Sequence, residues 1–512
     1  MIAERNDPPP DRRTLVKRGL TWSVVYQAFS SAVSLASMLL LVRIVAPVDY
    51  GRAAAVGGAL AFLNTFNAHI FMSHALQLPD GEEPPWQLHW SAGFYIHVAL
   101  AVLGQAIALT LWLLPDYRTV APLMHLGALG ILADWPAQMD AVQLQRRLDF
   151  RRLQVLSAIG TAVRVATTIA FALAGAGACG IILGANVVGG VPFLVDLLCV
   201  ERWRPRAGWW KTPDWREYRR PLSFGVQRIG GVMVGGVGGL LEAAVLPVTV
   251  GYQWMGLLTR SRALYSSTFG RLGSVLADTV YPFLPLVAPD RIAFRRQATV
   301  FLRAMLAVAV PSALFLAVEG PAVSRLLYGH KWIAMDPLIA PGALSGLGLA
   351  VFAAFSLVLV AAGRVGTTLR LDVVAAAVST AALAAAWATG DSVVYGWSLA
   401  IVEIAVAIAS GVSASSLLEP GWFASVVVPP ILASGAAVAA VALVQPWTSL
   451  LPLAVHLSGV TLIFGGVVFV TFRGFFPHAL RRVLEFAPGG QQLTHWLRLR
   501  PVVAEQSLTG VS

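Results

Sequence analysis

Three ionisable side chains share one face of the apolar stretch 251–287. Arg260 and Arg271 are eleven residues apart and Asp278 follows seven later, so at 100° per residue all three fall within about 40°. Arg262 points to the opposite side. The stretch 222–248 places Gln227 and Arg228 near one end and Glu242 fourteen residues further on, again close to one face, while 153–174 carries Arg164. The first stretch has a polar line at helical spacing: Gln27, Ser30, Ser34 and Ser37. An ionised group inside a bilayer costs from about 2.5 to 3.5 kcal/mol on insertion scales, so each needs a partner or a water-filled cavity. Guanidinium groups suit an anion, particularly a phosphate bound through paired donors. Arg164, Arg228, Arg260 and Arg271, with Gln27 and Gln227, are therefore the candidate substrate-binding groups, and Glu242 and Asp278 the candidate ion-coupling acids. Snorkelling, local ion pairing or close helix packing could account for any one of them. The excess of cations over acids in the set points to a hydrated, net positive cavity.

Other chemistries fall away. The sequence has no G-x-x-x-x-G-K-[ST] phosphate loop, no H-E-x-x-H and no C-x-x-C, and its nine histidines are scattered. Neither ATP hydrolysis, a metal site nor a cofactor is expected, and no residue is assigned a catalytic role. Cys179 and Cys199 stand twenty residues apart, roughly 30 Å along a helix, too far to bridge within it.

The elements that must position these groups are membrane helices. Of 512 residues, 57% are apolar and 12% charged, with a mean hydropathy of +0.71. Soluble domains carry about 25% charged residues, so a water-soluble globular protein is excluded. Stretches of the length needed to cross a bilayer fall near 20–42, 53–76, 89–114, 119–142, 153–174, 176–198, 222–248, 251–287, 298–318, 335–362, 371–389, 393–413, 423–444 and 450–472. This predicts an all-α polytopic membrane protein of about fourteen transmembrane helices. The second stretch is interrupted by Asn64, Asn67, His69 and His74. Of the 37 Lys and Arg, 26 lie in the two tails and alternate loops and five on the other side. Basic residues accumulate on the cytoplasmic side, so both termini are placed there. The net charge of +11 thus belongs to topology and not to a nucleic-acid partner.

Residues 23–51 match residues 223–251 at eight of 29 positions, including Gln27 with Gln227 and Pro47 with Pro247. Six spans per repeat keep the halves in one orientation, related by a pseudo-two-fold axis along the membrane normal, with the substrate site expected between them. The expected organisation is a cytoplasmic tail (1–19), an N-lobe (20–200), a basic inter-lobe loop (201–221), a C-lobe (222–413), two extra spans (423–472) and a cytoplasmic tail (473–512). Gly235 and Gly236 belong to a glycine-rich seventh span that could serve as a packing surface or as a hinge.

Four segments carry a resemblance: RIVAPVDYG at 43–51, QLQRRLDFRRL at 143–153, GYQWMGLLTRSR at 251–262 and LYGHKWIAMDP at 327–337. In this order and topology the chain resembles bacterial polysaccharide exporters, the oligosaccharide flippases of the Wzx type. They share a superfamily with multidrug and toxin extruders and the lipid II flippase. The resemblance implies two six-helix lobes and movement of an undecaprenyl-pyrophosphate-linked glycan across the bacterial inner membrane. A polysaccharide polymerase and glycosyltransferases would be the partner activities. Two rivals stand beside it. A cation-coupled drug extruder of the same fold should line its cavity with acids and aromatics. A membrane glycan polymerase or ligase should carry a large outer loop, and the outer loops here are short.

Overall fold

In the computed structural model the described residues are 12–79, 82–201, 205–270, 284–477 and 481. Helix is the repeating structure throughout them, as it must be for apolar segments whose backbone N–H and C=O groups find no partner in lipid. The chain divides into two compact units, Met1–Gly256 and Leu257–Ser512.

The first unit contains α1 (Arg12–Ile44), α2 (Pro47–Asn64), the short α3 (Ala68–Met72), α4 (Trp86–Leu113), α5 (Ala121–Arg146) and α6 (Phe150–Leu173). Two short helices follow, α7 (Gly177–Leu183) and α8 (Val191–Val195), then α9 (Arg219–Thr249) and the beginning of α10 (Gly251–Tyr265). Helix α4 packs on α5, α1 on α6, and α2 on α9. The second unit holds α11 (Arg291–Tyr328), α12 (Asp336–Ala361), α13 (Val365–Thr389), α14 (Ser392–Ala414), α15 (Val428–Thr448) and α16 (Leu453–Phe475). There α12 packs on α11 and α14, and the α15–α16 pair lies against α11.

Among the described residues eleven helical segments are long and apolar enough to cross a bilayer, against the fourteen stretches expected over the whole chain. The difference falls on the fourth, seventh and eighth spans. Helix α5 carries Asp134, Asp140 and Arg146; the apolar part of α9 is only Met233–Thr249; α10 leads into residues 271–283, outside the described residues. The second span breaks where its asparagines stand: α2 ends at Asn64 and helix resumes at Ala68.

Glycines decide where backbones touch. A Cβ on Gly51 would lie 1.7 Å from the Tyr252 carbonyl oxygen, and one on Gly256 would lie 1.9 Å from that of Pro47, so α2 and the start of α10 meet backbone to backbone. A Cβ on Gly58 would lie 2.7 Å from the Ala243 Cβ, which lets α9 settle on α2. The seventh span thus packs within the first unit, and the division between units falls inside α10, later than the 201–221 loop. That loop is pinned to α4: the Trp209 and Trp210 carbonyls accept from Ser91 at 2.7 Å and Tyr95 at 3.1 Å. A Cβ on Gly235, Gly238 or Gly239 would meet nothing within 4 Å among the described residues, so close packing there does not explain them.

Candidate functional site

The sixth span is not one helix. After α7 the chain makes a wide π turn over Gly184–Val188, passes Gly189 and Gly190, enters α8 with Pro192 in its first turn, and makes a second π turn over Asp196–Val200. Pro192 has no N–H to offer an upstream carbonyl. Gly160 of α6 lies so near the break that a Cβ there would be 2.5 Å from the Gly189 oxygen. Irregular backbone at membrane depth is tolerated where it is buried in protein or lines a cavity. Such a cavity of about 380 Å³ is present in the first unit, with Tyr26, His69, Asp134, Gln138, Ser157, Thr161, Arg164 and Asn186 as its polar lining.

Its geometry follows from the helices. Gln138 and Asp134 are one turn apart on α5, and the Gln138 amide nitrogen donates to the Asp134 carboxylate. The Gln138 amide oxygen accepts from the His69 backbone N–H at 2.9 Å, which ties α3 to α5. Tyr26 of α1 and Thr161 of α6 share a hydrogen bond of 3.4 Å. Arg164, the fifteenth residue of α6, is exposed and makes no ion pair among the described residues. Asn186 sits in the first π turn, its amide nitrogen donating to Ile182 O at 3.0 Å.

The neighbouring arginines are engaged otherwise. Arg146 donates to the carbonyls of Ala75, Leu78, Pro79 and Glu82 and so holds these residues to the end of α5. Arg152 bonds both Asp196, at 2.8 Å, and Glu201, while Arg147 reaches Glu201 at 2.9 Å. Asp149 caps α6 through the Arg152 N–H at 3.1 Å. The QLQRRLDFRRL segment is thus a clamp joining α5, α6 and the end of the broken span. The bond from Arg147 holds Glu201 below the usual carboxylate range, with Arg152 adding to the effect. A depressed carboxyl stabilises the fold above its unfolded value, about pH 4.3 for Glu, and that contribution is lost as pH falls through the lower folded value. The unfolding temperature of the solubilised protein should fall on acidification below that point, and Glu201→Gln should flatten the slope; an unchanged slope would remove the clamp as its cause.

The other expected groups are placed as follows. Gln27 is exposed on α1, beside Tyr26, and is not part of the cavity lining. Glu242 is half-buried on α9 and Arg260 half-buried on α10. The side chains of Gln227 and Arg228, and Arg271 and Asp278 altogether, lie outside the described residues. In the second unit Arg262 faces Glu403 at 3.7 Å, and Glu319 meets His456 at 3.1 Å. In the first-unit cavity one guanidinium, Arg164, stands with one carboxylate, Asp134. Asp134, Gln138 and Asn186 were absent from the sequence-based set. The signal for Asp134 was present, because an acid inside an apolar stretch is as conspicuous as an arginine.

The model of a family described as "Polysaccharide biosynthesis protein" matches residues 40–337. No curated protein matches significantly by sequence. Among solved structures, the lipid II flippase MurJ in an inward closed conformation superposes with a TM-score of 0.67 at 12% identity, over 89% of this chain and 99% of that one. An inward-facing multidrug resistance MATE family transporter of the MOP superfamily gives 0.52 at 13% identity, over 76% and 95%. At these identities the likeness is one of fold alone. Together with the eleven apolar helices among the described residues it makes the chain a multi-pass membrane protein. With the family match covering more than half of its length, this chain belongs to the polysaccharide biosynthesis protein family.

Proposed function

We propose that the protein moves a polyprenyl-pyrophosphate-linked oligosaccharide from the inner to the outer leaflet of the bacterial cytoplasmic membrane by alternating access, for surface or exopolysaccharide assembly. Arg164 carries the reading. A guanidinium two-thirds along an apolar helix, in no ion pair among the described residues and lining a polar recess, is suited to receive an anion. The hydroxyls and amides of Tyr26, Thr161, Gln138 and Asn186 suit the hydroxyl-rich neighbourhood of a sugar. At about 380 Å³ the cavity is at the small end of ligand pockets, about 300–1,000 Å³, so it takes a headgroup-sized portion of the ligand and the prenyl tail stays in lipid. Arg228, Arg260, Arg271, Gln27 and Gln227 remain the further substrate contacts, and Glu242 and Asp278 the acids to test for coupling. Both termini are assigned to the cytoplasm by the distribution of basic residues, and glycosyltransferases and a polymerase would supply and consume the cargo.

A drug extruder for cations is less well served, because Asp134 is already bonded to Gln138 and shares its cavity with Arg164. The deciding measurement is flipping of a fluorescent lipid-linked glycan in proteoliposomes against efflux of a cationic dye. Glycan movement without dye efflux supports the proposal, and the reverse overturns it. In the same assay Gly235→Leu with Gly236→Leu should insert normally and abolish movement; retained movement would show that α9 needs no flexibility there.

A further inference from the structure

We infer that Asp140 and Gln143 of α5 form a binding site for a single monovalent cation, most simply a proton, placed behind the wall of the cavity. Asp140 is fully buried and Gln143 is 3% exposed. Both carboxylate oxygens of Asp140 and both polar atoms of the Gln143 amide lack a hydrogen-bond partner among the described residues. The two residues are three apart on one helix, so their side chains are neighbours. A bare carboxylate in a dry setting is not stable, and it must either acquire a cation or become neutral.

The surrounding charges do not supply that cation. The groups acting on Asp140 are Arg152 from α6, Asp196 and Glu201 from the second π turn and its end, and Arg147 just beyond α5; α2, α3, α4 and α7 contribute none among the described residues. The four are already matched, Arg152 with Asp196 and Glu201, Arg147 with Glu201. Two cations stand against two acids, and Asp140 is a fifth charge that leaves the cluster one negative charge in excess.

The position gives this excess a consequence. Ala137 and Ala141 on either side of Asp140 line the cavity, as does Phe193, three residues before Asp196. An empty, charged Asp140 competes with Asp196 and Glu201 for Arg152 and loosens the hold of α6 on the broken span. A loaded, neutral Asp140 returns Arg152 to both. Cation loading thus sets the grip on the element whose break creates the cavity. This coupling role rests on the flippase reading, whereas occupancy of the site does not.

The test uses the full-length protein in lipid nanodiscs. Infrared difference spectra across an acid-to-neutral pH step should contain a carboxylic-acid carbonyl component that is lost in Asp140→Asn and shifted in Gln143→Leu. A parallel arm compares the unfolding temperature in sodium chloride and choline chloride at fixed pH. A sodium-specific rise abolished by Asp140→Asn would assign the same site to sodium in place of a proton. Identical spectra and identical sodium responses in wild type and Asp140→Asn would overturn the site. Neither readout involves the glycan, so its failure leaves the Arg164 result standing, and failed glycan flipping leaves the infrared result standing.

Discussion

Gly51→Ala is expected to destabilise the first unit by at least about 3 kcal/mol, the upper end of what overpacking usually does. The added Cβ would sit 1.7 Å from a backbone oxygen of residue 252, and a backbone atom cannot rotate away as a side chain can. Gly256→Ala should behave alike, because its Cβ would sit 1.9 Å from the Pro47 oxygen and 2.9 Å from the Gly51 nitrogen. Gly57, on the same helix as Gly51, has nothing among the described residues within 4 Å of its Cβ position. There Gly→Ala removes only the entropic weakness of a helical glycine and should add about 0.5–1 kcal/mol. Unfolding temperatures of the three variants in one detergent check the argument. Equal values for Gly51→Ala and Gly57→Ala would mean that α2 and α10 do not touch. Both sensitive glycines lie in segments that carry the family resemblance, RIVAPVDYG and GYQWMGLLTRSR, so part of that resemblance marks a contact between backbones and not a ligand site.

Arg164→Ala is expected to slow glycan flipping by about 10- to 100-fold while leaving the unfolding temperature near that of the wild type. Charge-assisted hydrogen bonds contribute about 1.5–3 kcal/mol, which sets the size of the effect. The absence of a penalty in folding follows from the geometry: Arg164 has no carboxylate partner among the described residues, so its removal orphans nothing. Arg164→Lys should recover part of the rate, since a point charge remains but the planar fork that grips two phosphate oxygens is gone. Undiminished flipping in Arg164→Ala would remove this cavity from the transport path.

Much of the fold was legible in the sequence because bilayer insertion is a local matter. The length of an apolar run, the asparagines that interrupt one and the backbone's need for internal hydrogen bonds act within a few residues of each other. The break after Asn64 needs no distant partner to be intelligible, whereas the one around Gly189 and Gly190 interrupts a stretch, 176–198, that reads as a single span in the sequence. Family membership could be read in the same way, since each of the four motifs is contiguous and all four lie within the matched residues 40–337.

The role of each charge could not be read so directly. A helical wheel states the angle at which Arg152, Arg164 or Arg262 leaves its own axis, but not which helix stands opposite. Arg152 finds Asp196 and Glu201, some 44 and 49 residues away, and Arg262 finds Glu403, while Arg164 on the same helix as Arg152 finds an open recess. Asp140 is stranded for the same reason, its potential partners having been claimed by nearer acids. Composition and periodicity determined that this chain is a bundle of membrane helices with cations inside it. Only the packing of segments remote in sequence decided which of those cations is paired with a carboxylate and which lines a cavity.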